Sequence, residues 1–313
     1  MNTPLGNPGT PIPRVVVLMA TFNGAQWIKE QLDSILSQAD VDVRVIASDD
    51  GSTDTTCDIL RACERVQLMP ARSGKSGSAQ NFCHLVTHAD IQLDEYVAFA
   101  DQDDIWYPHR LGNQIQLIRD RNADVVSSSI DALYPDGTTR RIRKDYPQRR
   151  LDFVCESAGP GSTYVFTPAA FAALRADLQS GIVDIDEVGF HDWLTYALLR
   201  ARGLAWHIDG TPTLAYRQHE ANEMGANDGA HALKRRARML GTGWYRQQFA
   251  LTAQWAGAVS TDPQLRADLE HTYRMLTDKG LLARLRLAWH CRHLRRRRRD
   301  QIGLALTELI GLW

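Results

Sequence analysis

The sequence predicts an α/β protein built on a mainly parallel sheet, followed by a helical, arginine-rich extension. Three observations carry this expectation. Short apolar runs alternate with segments of helical period through the first hundred residues. Polar clusters end the first, second and fourth of those runs, which gathers them at the carboxyl edge of a parallel sheet, where such folds bind ligands. Beyond residue 230 the pattern turns helical, with Trp244, Trp255, Trp289 and Trp313 spread among arginines.

Each element has a local reason. Val15 to Ala20 is continuous, apolar and β-branched at its start, as in a strand buried on both faces. Thr21-Phe22-Asn23-Gly24 is a turn, and apolar residues at 28, 32, 35 and 36 then follow a helical period. Val41 to Ala47 is the second strand, ended by Ser48-Asp49-Asp50-Gly51-Ser52-Thr53-Asp54, which opens a helix through Leu60. Arg65 to Met69 is the third strand, Ser73 to Ser78 a Gly/Ser loop, and Asn81 to Ala89 a helix. Tyr96 to Ala100 is the fourth strand and stops at Asp101-Gln102-Asp103-Asp104. Farther on, strands are expected at Val125 to Ile130, Ser162 to Phe166, Leu204 to His207 and Thr213 to Tyr216. Helices are expected at Pro168 to Leu178 and His191 to Arg200. Asp131 to Asp152 is polar and basic and reads as an excursion or flap. The implied organisation is a disordered segment 1–13, a catalytic domain 14–228 and an Arg-rich helical extension 229–313.

The composition narrows the function classes. With 44% hydrophobic and 23% charged residues among 313, the chain is neither disordered nor fibrous. Five cysteines without a CxxC pair argue against a zinc ribbon or disulfide scaffold and fit a reducing compartment. The net charge of −1 hides an asymmetry, because Leu233 to Trp313 carries 16 basic and 6 acidic residues. The basic tail suits nucleic acid or an anionic membrane surface, and the acidic front of the chain opposes the nucleic-acid reading. No secretory signal, membrane span or solenoid repeat is evident, so the expected location is cytoplasmic, with peripheral binding to the inner face of the membrane through the tail.

Four clusters have residue types suited to chemistry. Asp101 and Asp103, two apart on a loop after a strand, can grip a hard divalent cation whose other ligands are phosphate oxygens; the same acids would also suit a helix N-terminus. A carboxylate among Asp49, Asp50 and Asp54 can accept the imide N–H of uracil or thymine or a ribose hydroxyl, while Asp-Gly and Ser-Thr-Asp are also good turn and cap formers. Asp192, between His191 and Trp193, has the setting of a general base or of a plain cap. In Tyr216-Arg217-Gln218-His219, His219 is a candidate metal ligand and Arg217 a candidate pyrophosphate contact. Ser73 to Ser78 lacks a P-loop pattern and reads as a flexible loop able to contact a base or a phosphate.

The ordered series Ala20-Thr21-Phe22-Asn23-Gly24, Asp49-Asp50-Gly51-Ser52-Thr53-Asp54, Asp101-Gln102-Asp103-Asp104-Ile105-Trp106, His191-Asp192-Trp193 and Tyr216-Arg217-Gln218-His219 resembles the family 2 glycosyltransferases of the GT-A fold. Its wording is most similar to the bacterial rhamnosyltransferase-like branch. The resemblance spans about Pro13 to Asn227. It implies inverting transfer of a sugar, rhamnose favoured, from dTDP-rhamnose or a UDP-sugar with Mg²⁺ or Mn²⁺. The acceptor would be a saccharide or lipid-linked glycan, in cell-surface polysaccharide or O-antigen synthesis. By position, Ala20, Thr21, Asn23, Asp49, Asp50, Asp101, Gln102, Asp103 and Arg217 would bind the nucleotide sugar. Asp103 and His219 would hold the metal, and Asp192 would be the catalytic base. Trp106, His191 and Trp193 would form the sugar or acceptor wall. The family more often has an acidic residue where His191 stands. The competing readings are a catalytically inactive nucleotide-sugar-binding protein of the same fold and a nucleotidyltransferase, which also pairs a metal with an α/β sheet.

Overall fold

The computed structural model describes residues 11–219, 238–278 and 280–311. Its first half follows the expected alternation closely. Strand β1 (Arg14–Thr21) is central and pairs in parallel with β2 (Asp42–Asp49) on one side and β4 (Tyr96–Ala100) on the other. Short β3 (Val66–Leu68) extends the sheet beyond β2. Helices α1 (Ile28–Leu36), α2 (Thr56–Ala62) and α3 (Ser78–His88) are the crossovers. Val15 to Met19 have almost no exposed surface, as the uninterrupted apolar run demands.

Past β4 the chain departs from simple alternation. Two-residue β5 (Ile105–Trp106) leads to α4 (Arg110–Arg121) and β6 (Val125–Ser128). The single strand expected over Val125 to Ile130 is interrupted at Ser129, and β7 (Ile130–Leu133) leaves for a second sheet. Within the expected flap, β8 (Thr139–Ile142) folds back on β7 as a hairpin. Of the strand expected over Ser162 to Phe166, only β9 (Val165–Phe166) is strand. It follows a short 3₁₀ turn at Gly161–Thr163 and runs antiparallel between β4 and β6. Helices α5 (Pro168–Gln179) and α6 (His191–Ala201) precede β10 (Trp206–Asp209) and β11 (Leu214–Arg217). The main sheet has the order β10-β6-β9-β4-β1-β2-β3, and the smaller one β5-β11-β7-β8. The small sheet carries Tyr216 and Arg217 to the acidic loop after β4.

The extension comprises α7 (Trp244–Val259), α8 (Pro263–Thr277), α9 (Leu281–Leu294) and α10 (Arg298–Ile310). The expected boundary near residue 228 lies outside the described residues. Phe249, Trp255, Leu269, Leu287 and Leu294 share one core with α3, α5 and α6, and Phe249 meets Trp193 edge to face at 5.2 Å. Among the described residues no helix is long and apolar enough to cross a membrane. The five cysteines are free thiols, with Cys83, Cys155 and Cys291 packed in the interior.

The arginine run between α9 and α10 is not a uniform solvated face. Arg296 turns inward, its side chain 4% exposed, with Nε 3.3 Å from Glu156 and 3.5 Å from the buried Asp152. Arg295 lies over Phe249, whereas Arg298 and Arg299 stay exposed. Truncating Arg296 leaves two acids short of a buried partner, so Arg296→Ala is expected to cost about 3 kcal/mol. Arg298→Ala should stay within about 0.5 kcal/mol. Urea midpoints of the two variants against wild type check both values.

Candidate active site

The carboxyl ends of β1, β2 and β4 meet, and side chains tie their loops together. The Gln102 amide exchanges two hydrogen bonds with the Phe22 backbone, both 2.9 Å, so the loop after β4 is fastened to the loop after β1. Gly24 makes this approach possible: a Cβ there would lie 2.2 Å from Gln102 Oε1. Asn23 takes a left-handed backbone (φ 47°), which Asn tolerates, and its side-chain oxygen accepts the Thr53 N–H at 2.9 Å. Asp54 caps the start of α2 through Thr56 and accepts the Ala25 N–H at 3.1 Å.

The two acids after β2 have different duties. Asp49 accepts from the backbone of Gly51 and Ser52 and from the hydroxyls of Ser52 and Thr21, at 2.6–3.1 Å. Burial alone would raise its pKa, but the Ser52 and Thr21 hydrogen bonds outweigh that and hold it below the usual carboxylate range. Its oxygens are committed to the turn. Asp50 instead pairs with Arg72 and accepts the Gly77 N–H at 2.7 Å, and so organises the Ser73–Ser78 loop. Arg72, absent from the expected set, is therefore part of this edge. The same loop is pinned farther along by Lys75, which donates to the Asp186 carbonyl.

At the end of β4, Asp103 and His219 come together with Oδ2 and Nε2 2.7 Å apart, both largely buried. The His219 ring stacks on Trp27 at 4.0 Å, a partner that no motif announced. Among the described residues no three His, Cys, Asp or Glu side chains converge as a metal cluster. A carboxylate and an imidazole at this spacing nevertheless fit a divalent cation that draws its remaining ligands from a diphosphate and water. Asp104 is buried beside them. Burial, then repulsion from Asp103 and Asp101, raises its pKa well above the carboxylate range. Arg217 does not project into open space: its Nε donates to the Asp103 carbonyl at 2.9 Å and its Nη2 pairs with Glu30 at 2.6 Å.

Asp192 lies in the first turn of α6, with Oδ1 accepting the Trp193 N–H at 2.7 Å. It keeps some contact with solvent but is largely surrounded by protein. Burial pushes its pKa up to about 6, against the opposing hydrogen bonds and the nearby Lys144 ammonium. Lys144 comes from the flap, and no motif signalled it. Its own pKa is lowered, first by burial and then by Arg296. Gly161 allows α6 to enter here, since a Cβ would lie 2.3 Å from His191 Nε2 and 3.2 Å from the Asp192 Cβ. His191 stacks on Phe82 at 3.6 Å, and burial drops its pKa to about 3, so the ring is neutral. Tyr216 lies on β11 beside Arg217. Burial, then the charges of Asp101, Asp104, Asp103 and Asp192, hold its phenol well above the ordinary range.

The wall residues need correction. Trp106 is 2% exposed and is covered by the Arg110 guanidinium at 3.5 Å. Trp193 is 6% exposed, with its indole N–H given to the Phe153 carbonyl at 2.9 Å. Both are core residues, Trp106 in the cluster with Leu111 and Leu214 and Trp193 in the one with Phe153 and Phe249. His191 alone of the expected wall keeps partial exposure.

Comparison with known proteins gives the family and the fold. The profile of Glycosyl transferase family 2 matches residues 16–181. The dTDP-rhamnosyl transferase RfbG of Shigella flexneri is 34% identical over 303 residues, covering 94% of this chain and all of that protein. An uncharacterized glycosyltransferase of Nostoc, alr2836, is 24% identical over 58% of this chain and 56% of its own. Among solved structures, S. aureus TarS 1-349 in complex with UDP-GlcNAc superposes with a TM-score of 0.53 at 15% identity, over 95% of this chain and 91% of that one. The shared fold is GT-A.

The raised pKa of Asp192 has a consequence for stability. The folded state holds the proton more tightly than the unfolded chain, whose carboxyl titrates near its ordinary 3.8. Ionisation therefore costs stability, none of it below about pH 4 and all of it above about pH 6, at most about 3 kcal/mol. Asp192→Asn should raise the melting temperature at pH 8 and leave it nearly unchanged at pH 4, which thermal melts at the two pH values check.

Proposed function

The chain belongs to glycosyl transferase family 2, and from that membership we propose that it moves rhamnose from dTDP-rhamnose, with inversion, onto a hydroxyl of a saccharide or lipid-linked glycan acceptor. The context would be cell-surface polysaccharide assembly at the inner face of the membrane. Similarity to RfbG across nearly the whole chain supports the sugar. Uracil and thymine present the same imide edge, so a UDP-sugar donor is the result that would redirect this part of the reading.

The observation that supports the mechanism is the meeting of Asp103 and His219 at the end of β4, 2.7 Å apart, with Arg217 holding the Asp103 carbonyl. The nucleotide would lie along the carboxyl edge, against the loops of Ala20, Thr21, Asn23 and Asp50, with Asp49 fixing the turn that presents Asp50. Asp101, Gln102 and Asp103 would frame the diphosphate. Asp103 and His219 would hold Mg²⁺ or Mn²⁺, which when bound supplies charge against the departing diphosphate. Arg217 would act mainly by clamping the Asp103 loop through its carbonyl. Asp192 would accept the proton of the acceptor hydroxyl as that oxygen attacks the anomeric carbon from the face opposite the diphosphate. A carboxylate titrating at about 6 is ionised at neutral pH yet more basic than an exposed one. Lys144 would steady the ionised form by its charge. His191, neutral and stacked on Phe82, would border the acceptor without competing for the proton. A catalytically inactive protein would have no need to keep a destabilising carboxylate in this cleft, and the family match disfavours a nucleotidyltransferase.

Two outcomes are expected. In a thermal-shift panel with dTDP-rhamnose, UDP-glucose, UDP-GlcNAc and GDP-mannose, dTDP-rhamnose with Mn²⁺ should shift the melt most. At about 100 Kd the gain is about 2.7 kcal/mol, and EDTA or Asp103→Ala should remove it. Turnover of dTDP-rhamnose should rise with pH through about 6 and then level, as Asp192 ionises. Asp192→Asn should lower turnover by about 10²–10⁴ while the dTDP-rhamnose shift persists. A shift insensitive to EDTA would remove the metal from the reading, and full turnover by Asp192→Asn would remove the base.

A further inference from the structure

Twelve large apolar side chains are exposed among the described residues, and eight of them lie on α9 and α10. The arrangement on both helices is regular. On α9, Leu281, Leu285 and Trp289 recur every four residues on the outer face, with Trp289 70% exposed, while Ala283, Leu287, Cys291 and Leu294 face the core. On α10, Ile302, Leu306 and Ile310 have the same spacing outward, and Leu304 and Glu308 face inward. Four-residue spacing keeps side chains on one stripe of a helix. Here the apolar stripe that a soluble helix turns inward is present twice, once on each face.

The hairpin is fixed to the body, so the outer stripes are held rather than frayed. Arg284 of α9 donates to the Glu308 carbonyl of α10 at 3.0 Å, and the Glu308 carboxylate pairs with Arg246 of α7 at 3.2 Å. Cations sit within the apolar rows. The Arg292 guanidinium lies over the Trp289 ring at 4.3 Å, and Arg299 is exposed on the outer side of α10. The basic surface continues onto the flap, where the Tyr146 ring has Arg143 and Arg297 each 4.9 Å from its centroid. That flap also carries Lys144 to Asp192.

We propose that the outer face of the α9–α10 hairpin, together with the basic flap, docks on the surface of an anionic lipid bilayer and presents the Asp192 cleft to acceptors held there. Two apolar rows with embedded arginines match an acyl boundary beneath acidic headgroups. The helices have 14 and 13 residues, too few to span. The proposal deepens the glycosyltransferase reading and rests on it only for what the acceptor is.

The test uses the full chain in vesicle flotation. Wild type should float with phosphatidylglycerol–phosphatidylethanolamine vesicles and not with phosphatidylcholine vesicles, and high salt should weaken the binding. Leu285→Ser with Leu306→Ser should reduce flotation at least tenfold, and brominated phosphatidylglycerol should quench a fluorescence component that Trp289→Phe lacks. The dTDP-rhamnose melt shift of the double variant should equal that of wild type, which shows that it is folded and that any loss belongs to docking. Wild type that stays in solution with anionic vesicles overturns the proposal. So does a concentration-dependent dimer, dispersed by the same substitutions, in a protein that does not float. Flotation of a wild type that shows no donor shift would leave docking standing and remove the donor reading instead.

Discussion

The site is built on carboxylates taken out of water: burial holds Asp104 and Asp192 above the usual carboxylate range, and Asp103 lies largely buried against His219. Carboxylates crowded in a poorly solvated cleft cannot all remain charged without compensation. Each has a different remedy. Asp104 is fully enclosed, its pKa raised by burial and by its neighbours, with the Arg110 guanidinium nearby and itself pushed down to about 9 by burial. Asp103 has His219 at hydrogen-bond distance. Asp192 keeps partial exposure, lies in the first turn of α6 near Lys144, and has its pKa pushed up to about 6 by burial. One physical problem, a carboxylate removed from water, is thus met in three different ways.

The scaffold that enforces the crowding is a set of loop-to-loop hydrogen bonds rather than the sheet alone. Parallel strands bring three loops to one edge, but they do not fix how those loops face one another. The Gln102–Phe22 amide exchange joins the loops after β4 and β1, Asp49 joins β1 to β2 through Thr21, and Asp50 joins the β2 loop to the glycine-rich loop before α3. On the far side, β11 brings Arg217 onto the Asp103 carbonyl. A polar lattice of this kind uses up side chains that would otherwise be free for ligand. Asp49 shows this most clearly, with its carboxylate saturated by its own turn.

Legibility followed the strength of local signals. Strands β1, β2 and β4 are buried on both faces and show themselves as apolar runs, and the helix Ile28–Leu36 shows its period. Strand β5 has two residues, too few for any period, and β8 is polar and largely exposed, so the small sheet was invisible as such; two-residue β9 hid the antiparallel insertion in the main sheet in the same way. The pairing of Asp103 with His219 was legible because both sit in recognisable motifs. Arg72, Trp27 and Lys144 were not, since each reaches its site from a segment whose local sequence serves other ends. Trp106 and Trp193 misled for the opposite reason. They lie beside functional residues in sequence, but a strand or helix sends neighbouring side chains to different faces.

The C-terminal extension is best understood through its two opposed surfaces. Its inner surface is continuous with the core of the catalytic body, and Arg296 reaches Glu156 and Asp152 in the segment that leads to Gly159 and Gly161. Gly159 packs against the Lys144 side chain, and Gly161 lets His191 and Asp192 approach. The extension therefore buttresses the segment against which Lys144, His191 and Asp192 pack. A rigid connection between that segment and an outward apolar, basic hairpin means that whatever the hairpin rests on is held in a fixed relation to Asp192. For an acceptor carried on a surface this removes one of the costs of bringing two reactants together, because confinement to the plane is supplied by docking rather than by contacts within the cleft.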